Sequence, residues 1–436
     1  MCIKNAAKCE VVPAARWRDA YDPTMRPALQ LALLVPLLVP AAQQEHEPHQ
    51  APPDPAVYSL AQGAQQTSLP LKLVANKLHI EATIQGQGPF VLVLDTGMPF
   101  PGVLLYQSER VAKLGLADSG VHVQVGGVGG ERKPSDAIMA EGLTLTLGAL
   151  SIEKGRAIVV ARPEGFPLVA DGVIGASLFE NYVVRIDMDK QQLLLSEPAG
   201  WSPPQGVCSL PLERDGGKIF TELRIAIGAE DPVPARVVVD IGASHALALA
   251  GKPQGKFEPP AGALEMPLGR GLSGVLLGKQ GRVRRVELGS FAFENLVVGF
   301  EDGARPHANG GGSSDGNLGE EILRRFNVTF DYRGKRMLLE KSKAFAGPFE
   351  IGMSGMAYDW QPDSSLRIRS VLPGSAAAAA ELHEGDILLA IDGKPIAELG
   401  EAALFSALLV DGALVRLSLL RGAEKLEKKL RLKRLV

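Results

Sequence analysis

The sequence predicts a mainly β protein: a pair of duplicated β-barrel lobes followed by a small α+β module. Three observations carry this. The 436 residues include 49 Gly and 31 Pro, above averages of about 7% and 5%, which suits a fold with many tight turns. Three segments recur in the same order at offsets of 145, 144 and 144 residues: Val93-Leu94-Asp95-Thr96-Gly97 with Val238-Val239-Asp240-Ile241-Gly242, Asp171-Gly172-Val173-Ile174-Gly175 with Asp315-Gly316-Asn317-Leu318-Gly319, and Val184-Arg185-Ile186-Asp187 with Val328-Thr329-Phe330-Asp331. Ordered repeats at a near-constant offset mark a duplicated structural unit. From about residue 344 the texture changes, with a short Ala-rich run between strand-like segments.

Composition bounds the function. Hydrophobic residues make up 46% and charged residues 22%, enough to build cores and exclude wholesale disorder. The net charge of −3 and the lack of a long basic block argue against a nucleic-acid binder. Cys2, Cys9 and Cys208 form neither a disulfide framework nor a zinc site of the usual spacing. No P-loop, HExxH or dinucleotide-binding glycine pattern occurs. No metal or cofactor is expected.

The elements follow in order. Residues 29–39 form an apolar run after Met25 and Arg26. It is shorter than the ~20 residues of a membrane span and is followed by Val39-Pro40-Ala41. This reads as a signal peptide starting near Met25, with residues 1–41 as upstream extension and signal, and an exported, periplasmic or secreted, location. No stable transmembrane anchor is expected. Residues 42–68, rich in Gln, Pro and Ala, read as a linker. The first lobe is expected over 69–198 and the second over 199–343.

Within each lobe, alternating runs such as Leu78-His79-Ile80-Glu81-Ala82-Thr83-Ile84 read as half-buried strands. Gly126-Gly127-Val128-Gly129-Gly130 and Gly269-Arg270-Gly271-Leu272-Ser273-Gly274 read as equivalent hairpin tips. Residues 303–316 read as a glycine-rich loop. Over 344–436 the pattern predicts strands at 366–372, 387–391, 414–420 and 425–432, with helices at 376–382 and 401–409. The basic residues of the last strand read as a solvated face.

A carboxylate at the end of a buried apolar strand is costly unless partnered or used. Duplication can bring Asp95 and Asp240 together across a pseudo-two-fold axis. Two carboxylates at about 3 Å share one proton. One then takes a proton from water while the other gives one to a carbonyl, which is amide hydrolysis by general acid–base catalysis. Other candidates carry less. His245 reads as a surface-loop residue, Asp187 and Asp331 as charges facing solvent, and Asp171 and Asp315 as turn or capping groups.

These motifs resemble the retropepsin-like bacterial branch of the aspartic protease superfamily with a C-terminal PDZ domain. The resemblance rests on Asp95-Thr96-Gly97, Asp240-Ile241-Gly242-Ala243-Ser244 and the later Val173-Ile174-Gly175 and Asn317-Leu318-Gly319. It covers roughly 69–343, with the PDZ likeness over 344–436. It implies a bilobal pepsin/retropepsin-like barrel pair and a catalytic Asp95/Asp240 dyad supported by Thr96, Gly97, Gly242, Ser244, Gly175 and Gly319. It also implies a glycine-rich flap over a peptide or protein substrate. Ile241 stands where the family carries Thr or Ser, and Pro99 where it carries Ser or Thr; a catalytically inactive peptide-binding or scaffolding protein with the same fold is therefore the alternative.

The PDZ likeness rests on Pro373-Gly374-Ser375-Ala376, Glu384-Gly385-Asp386-Ile387 and Ile391-Asp392-Gly393. It implies capture of C-terminal peptides by strand addition, with Gly355 in the carboxylate loop and Met356 and Tyr358 along the strand edge.

Overall fold

The computed structural model describes residues 55–127, 134–162, 170–251, 256–302, 313–361 and 365–436. The expected signal segment, Gly129, Gly130 and the 303–312 part of the glycine-rich loop lie outside these residues.

The duplication is visible in the strand order. In the first lobe the strand Gln87–Leu94 runs parallel to Gly172–Ile174, which pairs antiparallel with Val103–Tyr106. In the second, Val233–Val239 runs parallel to Gly316–Leu318, which pairs antiparallel with Leu247–Ala250. Beyond these, Lys77–Ile84 and Lys218–Ala226 occupy matching places in the two sheets. Even local hydrogen bonds repeat. Asp171 Oδ2 accepts from Val91 N and Asp315 Oδ2 from Arg236 N, each at 2.8 Å. These carboxylates satisfy strand amides, as a turn-capping role requires.

A six-stranded sheet joins the lobes. Val183–Asp187 pairs antiparallel with Phe326–Asp331 across the pseudo-two-fold axis, with Arg185 opposite Thr329. Gln192–Ser196 and Arg336–Lys341 flank this pair. One apolar core runs through both lobes, from Leu78, Phe90 and Leu92 to Val237, Phe300 and Phe330.

Several expectations are corrected here. The linker does not extend to residue 68: Val57–Leu60 pairs with Leu150–Val160, and Gln66–Pro70 forms an edge of the shared sheet. Thr67 and Leu69 alternate inward along that edge strand, a pattern too short to stand out in Gln-rich sequence. Asp187 and Asp331 do not face solvent. Both are buried, because each accepts from the amide of its own hairpin turn, Lys190 N at 3.0 Å and Gly334 N at 2.8 Å. His245 is half-buried rather than on the surface, since Gly319 packs onto its carbonyl.

The C-terminal module has its own core, including Met353, Leu366, Leu388, Leu404 and Leu417. Its sheet runs Met356–Trp360, Leu366–Val371, Ile387–Ile391, Leu414–Arg421, Glu424–Arg431. The second helix is Ile396–Ala407, five residues earlier at its start than expected. Pro395 at its N-cap and Glu398 in its first turn begin it, and Gly400 does not break it. Among the described residues no helix is long and apolar enough to cross a membrane.

Candidate active site

Each Asp loop begins where a buried strand ends. The backbone locks both in the same way: Asp95 N donates to Ile174 O at 3.0 Å, and Asp240 N to Leu318 O at 2.9 Å. The two carboxyls meet at the lobe junction, where each lies over the opposite loop's glycine. A Cβ on Gly97 would fall 2.8 Å from Asp240 Cγ, and one on Gly242 would fall 2.3 Å from Asp95 Cγ. Only glycine permits that approach. Gly175 and Gly319 do the same for the loops' backs: a Cβ there would fall 2.2 Å from Asp95 O and 2.1 Å from His245 O.

Two carboxyls brought this close cannot both carry a charge easily, which favours a single negative charge on the pair. Asp95 keeps some solvent contact but is ringed by protein. Burial, then the Asp240 charge, pushes its carboxyl up to about 7; Lys77 and the Gly97 amide, at 2.7 Å, pull the other way. Asp240 instead accepts from Asn317 Nδ2 at 2.7 Å. Burial also pushes up the Tyr106 hydroxyl, with the Asp95 charge adding to the effect.

The loops are tied asymmetrically. Thr96 Oγ1 donates to Val239 O at 2.7 Å and accepts from Ile241 N at 3.1 Å, crossing from one lobe to the other. Ile241, fully buried, has no hydroxyl to return the bond. Ser244 Oγ donates to Ala75 O at 3.1 Å rather than to a carboxylate. Pro99 packs against Gly217. Thr96→Val should leave Ile241 N–H and Val239 C=O unpartnered and lower stability by roughly 2 kcal/mol; urea unfolding measures it, and an unchanged midpoint would show that the tie is not stabilising.

Two long hairpins face each other. One pairs Ala117–Val125 with Ser135–Leu147, the other Leu264–Gly271 with Gly274–Leu288. Their tips touch: Gly127 N donates to Ser273 Oγ at 3.2 Å. Leu272 packs on a first-lobe cluster that includes Val93, Leu104 and Tyr106, as do Met98 and Phe100. Residues of both hairpins thus meet beside the cluster that holds Tyr106, whose hydroxyl feels the Asp95 charge.

Three residues around the pair escaped sequence reasoning. Asn317 stands where the first lobe has Val173, and Glu320 where it has Ala176. Burial holds the Glu320 carboxyl well above its ordinary range. Lys77 Nζ donates to Gly242 O. A break in the repeat at positions flanking Gly319 was the available signal for the first two; Lys77 left none, because its contact is to a distant loop. Among the described residues no cluster of three or more His, Cys, Asp or Glu is arranged to hold a metal ion.

Residues 340–419 match the family model of the PDZ domain. The C-terminal module is a PDZ domain. In it Gly355 adopts φ +74° and packs so tightly on Ser375 that a Cβ would fall 2.1 Å from that side chain's Cβ. Met356 opens the strand Met356–Trp360, which pairs on one side with Leu366–Val371 and forms the end of its sheet. The Met356 side chain is buried in the module's core, and Tyr358 is half-buried against it.

Among solved structures, the chain is similar to the aspartic proteinase from Irpex lacteus, at 14% identity and a TM-score of 0.45, covering 65% of this chain and 100% of that one. It is also similar to Basic 7S globulin from soybean, at 11% identity and a TM-score of 0.40, covering 66% of this chain and 98% of that one. No curated protein sequence matches.

Proposed function

We propose that the chain is an aspartic-type endopeptidase, exported by way of the segment 1–41, that hydrolyses peptide bonds with a water activated by Asp95 and Asp240. The observation that carries the reading is the pair itself: two strand-terminal carboxyls, brought together by the duplicated loops, each against the opposite loop's glycine. The chemistry follows with Asp95, whose carboxyl is pushed up, as the acid and Asp240 as the base. Asp240 takes a proton from water while Asp95 gives its own to the substrate carbonyl oxygen. The water oxygen bonds to the carbonyl carbon, forming a tetrahedral diol. As the C–N bond breaks, the amine takes the proton from Asp240, and a diol hydroxyl returns one to Asp95. No metal or covalent intermediate is invoked. The two hairpin tips, with Leu272 and the apolar cluster beneath, suit an extended peptide with apolar side chains.

Incubating the full chain with a mixed peptide library and reading new termini by mass spectrometry tests this reading. New termini that vanish in Asp240→Asn support it. Peptides that bind without being cut support the second reading, a catalytically inactive peptide-binding or scaffolding protein, which the missing hydroxyls at Ile241 and Pro99 favour.

For the PDZ domain we propose capture of C-terminal peptides along Met356–Trp360, with backbone amides around Gly355 holding the carboxylate. Amidating the peptide removes the anion and is expected to weaken binding to the full chain by about tenfold to a hundredfold. Fluorescence anisotropy measures it; equal binding of both forms would leave the module a packing role.

A further inference from the structure

The second Asp loop lacks the hydroxyl that would tie it to the first lobe at position 241, yet three consecutive first-lobe residues hold it. Ala75 and Asn76 form the turn between Lys72–Val74 and Lys77–Ile84, and Lys77 opens the second of these strands. Ala75 and Asn76 both have positive φ, 51° and 55°, as a two-residue hairpin turn requires. Ala75 O accepts from Ser244 Oγ at 3.1 Å. Asn76 Nδ2 donates to Ser244 O at 2.5 Å and to Glu321 Oε2 at 3.0 Å. Glu321 is itself fixed by Arg324 at 2.7 Å and by the buried Arg325 at 2.9 Å. Lys77 Nζ donates to Gly242 O, on the glycine that lies against Asp95. The matching turn of the second lobe, Gly216-Gly217, meets Pro99 and has no side chains to offer.

We propose that Asn76 and Lys77 are positioning residues for the carboxyl pair: Asn76 anchors the second Asp loop where Ile241 cannot, and Lys77 holds a cation beside the pair that favours its singly charged form. This rests on the peptidase reading of the same site. The titratable groups facing Lys77 are Asp95 and Glu320, with His79 on its own strand. Asp95 in turn faces Asp240, Tyr106 and Tyr332. Of these Lys77 alone is cationic, and its charge pulls the Asp95 carboxyl down. Removing it raises the pH at which the pair loses its last proton.

The test uses the full chain as parent, Lys77→Met, Lys77→Arg and Asn76→Ala. The pair's titration is followed by carboxyl 13C NMR on Asp-labelled protein, with Asp95→Asn and Asp240→Asn identifying the signals. The last deprotonation is expected to move up by about one pH unit in Lys77→Met and to stay in place in Lys77→Arg. Asn76→Ala is expected to lower kcat several-fold with KM and the titration unmoved. An unmoved titration in Lys77→Met, or an equal shift in Lys77→Arg, overturns the role of the charge. Unchanged kcat in Asn76→Ala overturns the anchor. Should Lys77→Met fail to fold, Lys77→Gln carries the same expectation. The titration needs no turnover, so a parent that cuts no peptide but shows the shift refutes the peptidase reading while leaving the charge role standing.

Discussion

Asp240→Asn is expected to abolish peptide hydrolysis while leaving the fold intact. Its carboxylate is the base in the proposed reaction, and an amide cannot take the water's proton. General acid–base contributions of about a hundredfold to ten-thousandfold per group set the expected loss. Asp95→Asn should lose as much, because Asn cannot protonate the carbonyl oxygen. The fold should survive both, since Asn is nearly isosteric and the loops are held by backbone bonds, Asp95 N to Ile174 O and Asp240 N to Leu318 O. Initial rates on a cut library peptide, with circular dichroism as the control for folding, check this. A variant as active as the parent would show that these carboxyls do not perform the chemistry.

The same proton makes stability depend on pH. The folded Asp95 carboxyl is pushed up from an ordinary 3.8 to about 7, first by burial and then by the Asp240 charge. A raised carboxyl contributes stability that is fully present below about 3.8 and lost as pH rises through about 7. Asp95→Asn removes that dependence. Relative to the parent it should therefore gain stability between pH 5 and pH 8, by up to about 2.5 kcal/mol. Urea unfolding of both proteins at the two pH values measures the difference. The buried Glu320 is pushed in the same direction and is present in both proteins, so it largely cancels. A parent–variant difference that does not change with pH would mean that Asp95 is not held protonated.

The pair was legible in the sequence because duplication writes the same local grammar twice: an apolar strand, an Asp, and a glycine two residues on. Its supports at Gly175 and Gly319 were legible for the same reason. Asn76 and Lys77 were not, because they act across the lobe junction from a turn whose sequence specifies only a turn. Asn317 and Glu320 interrupt the repeat, yet an interruption alone does not say which way a side chain points. The edge strand Gln66–Pro70 was hidden for another reason. Its pairing with Gln192–Ser196 supplies backbone bonds, and only Thr67 and Leu69 bury their side chains, so composition gave no apolar run to read. Asp187 and Asp331 show how a local turn bond, followed by burial in the shared sheet, turns an apparent surface charge into an interior one.

The most direct test of the account is the pH profile of kcat/KM for the full chain on its best library peptide. The account predicts a bell-shaped profile whose alkaline limb falls near 7, where Asp95 gives up the proton it must donate. Absence of cleavage at every pH, or a rate that stays high well above that limb, would contradict it.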